Sequence, residues 1–123
     1  NYHGPLPGVM LQKNHRGPLL EIMFQKKSTW ASVGWYVEEI DASNSFLIYE
    51  GLQNMRNLMY LKKLNISYSI MLDAWCIDRI TGEYQDSLEY LDISGCTGLD
   101  WNALECLWRL RKLKVLVLYF LQQ

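Results

Sequence analysis

The chain has 123 residues, half of them apolar and 13% aromatic, and a formal net charge of −1. That is the length of one domain with ample core material, which argues against disorder, and the near-neutral charge argues against a general nucleic-acid binder, which needs a basic face. The longest apolar runs are about one strand long, far short of the roughly 20 residues of a membrane helix, so no transmembrane helix is expected. No signal peptide is read either. The chain opens on Asn1 rather than Met, so it is expected to be processed or a fragment.

Residues 1–36 read as an irregular arm or cap. Gly4, Pro5, Pro7, Gly8, Gly17 and Pro18 interrupt any regular element. The stretch from Leu19 to Gln25 fits a helical turn or a strand. Trp30, Trp35 and Tyr36 supply apolar area just before a repeating pattern begins, where an open strand edge needs covering.

From residue 37 onward one unit recurs. It starts at Val37, Leu61, Leu88 and Leu113, in steps of 24, 27 and 25 residues, and approximates L-x-x-L-x-L. That period and pattern are the signature of a leucine-rich repeat. The fold class expected is α/β: a short leucine-rich-repeat solenoid with parallel strands and helices on the convex side. Residues 37–123 hold about three and a half repeats.

In the first unit Val37, Ile40 and Ala42 point inward, Ser43-Asn44-Ser45 turns, and Ile48, Leu52, Met55 and Leu58 fall on one helix face. Gly51 weakens that helix by about 1 kcal/mol relative to alanine. In the second, Leu61, Leu64 and Ile66 point inward and Asp73 caps a helix carrying Trp75, Cys76, Ile77 and Ile80. Trp75 is expected to pack against the next unit, and Gly82 to stop or kink the helix. In the third, Leu88, Leu91 and Ile93 point inward, Asp100 occupies the slot of Asp73, and Ala103, Leu104, Leu107 and Leu110 form the helix stripe. Arg109, Arg111 and Lys112 suit the negative end of that helix. The fourth unit has only its strand before Gln123, and an uncapped end would expose apolar surface, so either residues are missing beyond Gln123 or a partner covers this end.

The ninth residues of the first three units are Ser45, Ser69 and Cys96, small side chains whose hydroxyl or thiol bonds nearby backbone at the turn. They mark the cysteine-containing subtype of the repeat. Cys76, Cys96 and Cys106 have no C-x-x-C spacing and form neither a disulfide framework nor a zinc site, so all three are expected to be buried, reduced thiols.

No catalytic set, cofactor motif or metal site is read. Asp73 and Asp100 lie one repeat apart in capping slots, which explains them better than metal ligation. His3 and His15 stand in the arm without a telling partner, and the Asn65-Ile66-Ser67 sequon lies in a strand. The outward strand positions form three rows: Glu38, Lys62, Glu89, Lys114; Glu39, Lys63, Tyr90, Val115; and Asp41, Asn65, Asp92, Val117. Such rows are either a self-paired solvated ladder or a docking surface, and one surface can serve as both. The candidate partner-binding residues are Glu39, Asp41, Lys63, Asn65, Tyr90, Asp92 and Val117, with Trp101 and Trp108 as a possible exposed anchor pair.

Three segments carry a family resemblance. Ile40-Asp41-Ala42-Ser43 with Ile48-Tyr49-Glu50-Gly51-Leu52, then the run from Asp73 to Ile80, then the run from Asp86 to Cys96, resemble the leucine-rich-repeat family of distal membrane-arm assembly complex protein 2 (the ATP synthase subunit s-like protein) and mitochondrial ATP synthase coupling factor B. The match runs in register over about residues 37–119. The resemblance implies a non-enzymatic mitochondrial protein that assists assembly of the distal membrane arm of respiratory complex I. Its partners would be membrane-arm subunits and other assembly factors, met at the inner membrane from the matrix side without a transmembrane helix. Phe120 stands where the family has an acidic residue, Ser69 replaces a turn cysteine, and a further C-terminal helix of the family is not seen. The competing readings are a coupling-factor-B-like subunit and a substrate adaptor of a ubiquitin ligase. The adaptor would want an F-box-like segment upstream, which residues 1–36 do not supply.

Overall fold

The computed structural model describes residues 9–12, 37–44, 52 and 58–119. Expectations about the rest of the arm with its tryptophans and histidines, about Ser45, Ile48, Gly51 and Met55, and about Phe120 lie outside those residues. Five strands form one parallel sheet in chain order: β1 (Val9–Gln12), β2 (Val37–Asp41), β3 (Lys63–Asn65), β4 (Tyr90–Asp92) and β5 (Val115–Val117). Helix α1 (Ala74–Glu83) lies between β3 and β4. Helix α2 (Trp101–Glu105), continued by a 3-10 turn over Cys106–Arg109, lies between β4 and β5. The architecture is α/β, a parallel sheet with flanking helices.

Strand β1 falls inside the stretch read as irregular. Four residues between Gly8 and Lys13 are too short a run for a periodic signal. They are held by pairing: β1 lies parallel to β2, with an irregularity between Val9 and Met10. It thereby satisfies backbone groups that would otherwise form an open edge.

The expected registers hold in the sheet. Glu39, Lys63, Tyr90 and Val115 are neighbours across the strands, and so are Asp41, Asn65, Asp92 and Val117. Alternate residues therefore face the core in phase. Val37, Ile40, Ala42, Leu61, Leu64, Ile66, Leu88, Leu91 and Ile93 are all buried, together with Leu52 and Leu58. Each large side chain among them contributes about 1.5–3 kcal/mol relative to exposure. Helix α1 adds Cys76, Ile77 and Ile80 to the same core. At the fourth unit the phase persists but the cover does not: Leu116 and Leu118 are exposed, because no described residue lies beyond β5.

Both capping aspartates act as expected. The Cys76 N–H donates to Asp73 Oδ1 at 3.1 Å, and the Ala103 N–H donates to Asp100 Oδ1 at 2.8 Å. Two helix ends differ from expectation. Helix α1 runs through Gly82 and stops after Glu83, where the Tyr84 N–H bonds the Ile80 carbonyl at 3.0 Å. Gly82 is not left-handed, and the residue at the helix end is the buried Tyr84. Helix α2 stops at Glu105 and tightens into the 3-10 turn, so the expected stripe does not form one α-helical face. Ala103 and Leu110 are buried, while Leu104 and Leu107 are only partly so.

Candidate partner-binding surface

The outer strand face is built from short local devices repeated three times. In Asp41-Ala42-Ser43, Asn65-Ile66-Ser67 and Asp92-Ile93-Ser94, the first side chain accepts a hydrogen bond from the serine N–H, at 3.1, 3.0 and 3.0 Å. Each is an Asx turn, in which a short carboxylate or amide closes a backbone bend two residues on. The following residue then takes a left-handed conformation: Asn44 at φ 54°, Tyr68 at 57° and Gly95 at 69°. This is how the chain leaves each strand. Asp41, Asn65 and Asp92, candidates for the outward face, each commit one oxygen to their own backbone. Val117, next in the row, has no such oxygen, so the series stops there. At this last turn the Tyr119 N–H donates to the Ser94 hydroxyl at 3.0 Å.

The charged rows pair across strands. Lys62 meets Glu38 at 3.6 Å, Lys63 meets Glu39 at 3.9 Å, and Lys114 meets Glu89 at 3.3 Å. These pairs are solvent-exposed and each contributes about 0–1 kcal/mol. Lys63 Nζ also lies 4.6 Å from the centre of the Tyr90 ring. The ammonium is attracted to the ring face. The Glu39, Lys63 and Tyr90 side chains thus form a connected, accessible patch on three adjacent strands.

The sequence does not disclose the ties between units. Arg109 Nη1 donates to Asp78 Oδ1 at 2.6 Å, and Arg111 donates through Nε and Nη2 to Asp86 Oδ1 at 3.0 and 2.6 Å. The hydrogen bond to Asp78 strengthens the hold of the Arg109 guanidinium on its proton. Both arginines were expected to serve the end of their own helix, yet they reach back to the preceding unit. Only register across units, some thirty residues apart, would have shown this.

Trp75 is 36% exposed, and the Arg79 guanidinium carbon lies 5.3 Å from its ring centre. Its position at the second residue of α1 turns it from the core that Cys76 and Ile77 enter. Trp101 and Trp108 are exposed by 67% and 89%. Together with Leu107, Leu113, Leu116 and Leu118 they border an apolar hollow of about 400 Å³ beside β5.

The thiols are only partly as expected. Cys76 and Cys96 are buried, and burial pushes their pKa up to about 12 and about 11. Cys96 Sγ donates to the Ile66 carbonyl on the neighbouring strand at 3.2 Å. Cys106 is half-buried, because the 3-10 turn that carries it lies beside the uncovered end. Among the described residues no group of three His, Cys, Asp or Glu side chains is placed to hold a metal ion. No described helix is long and apolar enough to cross a membrane.

Parallel strands stacked in chain order and an outer face where paired charges sit beside the Tyr90 ring define an α/β protein whose surface offers contact chemistry. The chain is a clear homologue of Distal membrane arm assembly component 2. It is 46% identical over 82 residues to the protein of that name from Drosophila melanogaster, a match that covers 67% of this chain and 28% of that one. The chain thus spans under a third of that relative's length. No family model and no solved structure matches it.

Proposed function

We propose that this chain is a non-enzymatic protein-binding scaffold that assists assembly of the distal membrane arm of mitochondrial respiratory complex I. The observation that carries this is the 46% identity with a protein named for membrane-arm assembly. A surface that presents paired charges and aromatics suits the role. In this reading residues 37–123 are about three and a half leucine-rich repeats of the cysteine-containing subtype, helices on the convex side, preceded by a capping arm over residues 1–36. The repeat period and the in-phase registers support it.

The partners are membrane-arm subunits of complex I and other assembly factors, met at the matrix side of the inner membrane. Glu39, Lys63 and Tyr90 form the centre of the docking surface, flanked by the free faces of Asp41, Asn65, Asp92 and Val117. Trp101 and Trp108 supply a second, apolar contact. No cofactor takes part.

Native gels of mitochondrial extracts test this. The tagged protein is expected to co-migrate with complex I assembly intermediates. Migration with ATP synthase alone would contradict the assignment and support a coupling-factor role.

A further inference from the structure

The loop that leaves β3 is pinned in place, yet its surface is apolar. The Tyr68 N–H donates to the Ser94 carbonyl at 2.6 Å, and the Leu72 N–H donates to the Ser69 carbonyl at 3.0 Å. Two glycines of the next unit seat the loop. A Cβ on Gly95 would overlap the Tyr68 ring, and one on Gly98 would lie 2.6 Å from the Leu72 carbonyl oxygen. On this loop Tyr68, Ile70 and Met71 each keep about half or more of their surface exposed. Solvated turns are built mainly from Gly, Pro, Asn, Asp and Ser. Three large apolar side chains fixed on one turn mark a contact surface.

Charge says what kind of contact. The stretches 41–44, 65–73 and 92–100 lead out of β2, β3 and β4, and they hold Asp41, Asp73, Asp92 and Asp100 with no lysine or arginine. None of the four aspartates is in an ion pair among the described residues. Each gives one oxygen to a backbone N–H. Lys62, Arg111, Lys112 and Lys114 gather where β3 and β5 begin, at the opposite ends of the strands. The rim around the apolar ledge is therefore acidic. It repels an anionic lipid surface and attracts a cationic segment.

The rim lies at strand ends, not along a strand edge, so an extended segment gains no backbone pairing there. A helix satisfies its own backbone and needs only side-chain contacts. Asp41 and Asp92 lie on either side of Asn65 in the sheet, two strands and so about 10 Å apart. Basic residues two turns apart on a helix are spaced by about 11 Å. We propose that the ledge of Tyr68, Ile70 and Met71 docks a basic amphipathic helix of a partner protein, with its apolar face on the ledge and its lysines or arginines against the rim aspartates. The inference rests on the protein-binding role proposed above, but not on which complex is served.

The probe is a fluorescein-labelled peptide of about 18 residues, with leucine along one helical face and lysine on the other. Anisotropy titration of the purified full-length chain is expected to show saturable binding that weakens as salt rises. The triple variant Asp73→Asn, Asp92→Asn, Asp100→Asn is expected to bind about tenfold more weakly, since each exposed pair contributes modestly. Asparagine still accepts the capping and turn hydrogen bonds, so the fold is kept. Ile70→Ser with Met71→Ser should weaken binding similarly, at exposed positions where stability changes little. Glu83→Gln with Met59→Ser, exposed at the opposite ends of the strands, should bind as the parent does. Hydrogen exchange should slow on binding around residues 68–73. Equal losses at the two ends, equal binding of a peptide with glutamate for lysine, or no saturable binding overturns the inference. So does binding to phosphatidylcholine–cardiolipin vesicles, or self-association of the chain, that Ile70→Ser with Met71→Ser abolishes. Failure of these experiments leaves the assembly reading standing, because that rests on the identity of co-migrating subunits.

Discussion

Ser69 is expected to be a point of removable instability. Its side chain is 1% exposed, and its hydroxyl has no hydrogen-bond partner among the described residues. One unit later the same position is Cys96, whose thiol reaches the Ile66 carbonyl across the strands at 3.2 Å. The carbonyl that corresponds for Ser69 is that of Ala42, with which the hydroxyl makes no hydrogen bond. A buried polar group without a partner costs about 1–3 kcal/mol. Ser69→Cys removes that cost and adds burial of a larger, weakly polar atom, so a gain of about 1–2 kcal/mol is expected. Ser69→Ala removes the cost but leaves a small void, for a gain of about 0.5 kcal/mol. The converse change, Cys96→Ser, should lose about 1–2 kcal/mol by creating a second orphaned hydroxyl. Urea denaturation under reducing conditions, compared at a common slope, measures all three. A Ser69→Cys variant no more stable than the parent, together with a neutral Cys96→Ser, would refute the reasoning and mean that Ser69 has a partner.

Four further expectations follow from the geometry. Asp73→Ala and Asp100→Ala should each cost about 1 kcal/mol in the same assay, since each removes the acceptor of an early helical N–H. Gly95→Ala should cost more, about 1–3 kcal/mol, because a Cβ there meets the Tyr68 ring and the backbone sits at φ 69°; Tyr68→Ala in the same chain should recover only the steric part. Stability should fall as pH rises above about 9, the ordinary thiol value, and continue falling through about 11 to 12. Cys76 and Cys96 hold their protons more tightly when folded, as does the buried Tyr84 phenol, so the folded chain binds more protons in that window and loses stability across it. Urea midpoints between pH 7 and pH 11 check this, and a midpoint that rises with pH would contradict it. Lys63→Glu with Tyr90→Ala should leave the urea midpoint within about 1 kcal/mol, as exposed pairs do, yet reduce recovery of partner subunits on affinity capture.

Much of the framework was legible because it is written in periods. The apolar positions at Val37, Leu61 and Leu88 gave strands, register and the inward set, and Asp73 and Asp100 announced their helices by residue type and place. What stayed hidden depends on partners distant in sequence. Strand β1 exists because β2 offers it an edge, and Val9–Gln12 alone is too short to show that. Arg109 and Arg111 turn back to Asp78 and Asp86, which no helix-end rule foresees. The partial exposure of Trp75 depends on the rotation of α1, which gives the core to Cys76 and Ile77. The surface was harder still. The row Asp41, Asn65, Asp92 reads as outward polar decoration, whereas each side chain closes the turn that ends its strand. An Asx residue followed two positions later by serine was the available signal, repeated three times. Glu39, Lys63 and Tyr90 were correctly placed in one row, since register alone decides that.

The measurement that bears most directly on the central claim is affinity purification of the tagged full-length protein from mitochondria, with identification of the subunits that come with it. The account predicts recovery of complex I membrane-arm subunits, reduced by Lys63→Glu with Tyr90→Ala. Recovery of ATP synthase subunits in their place, or of no respiratory-chain subunit at all, would contradict it.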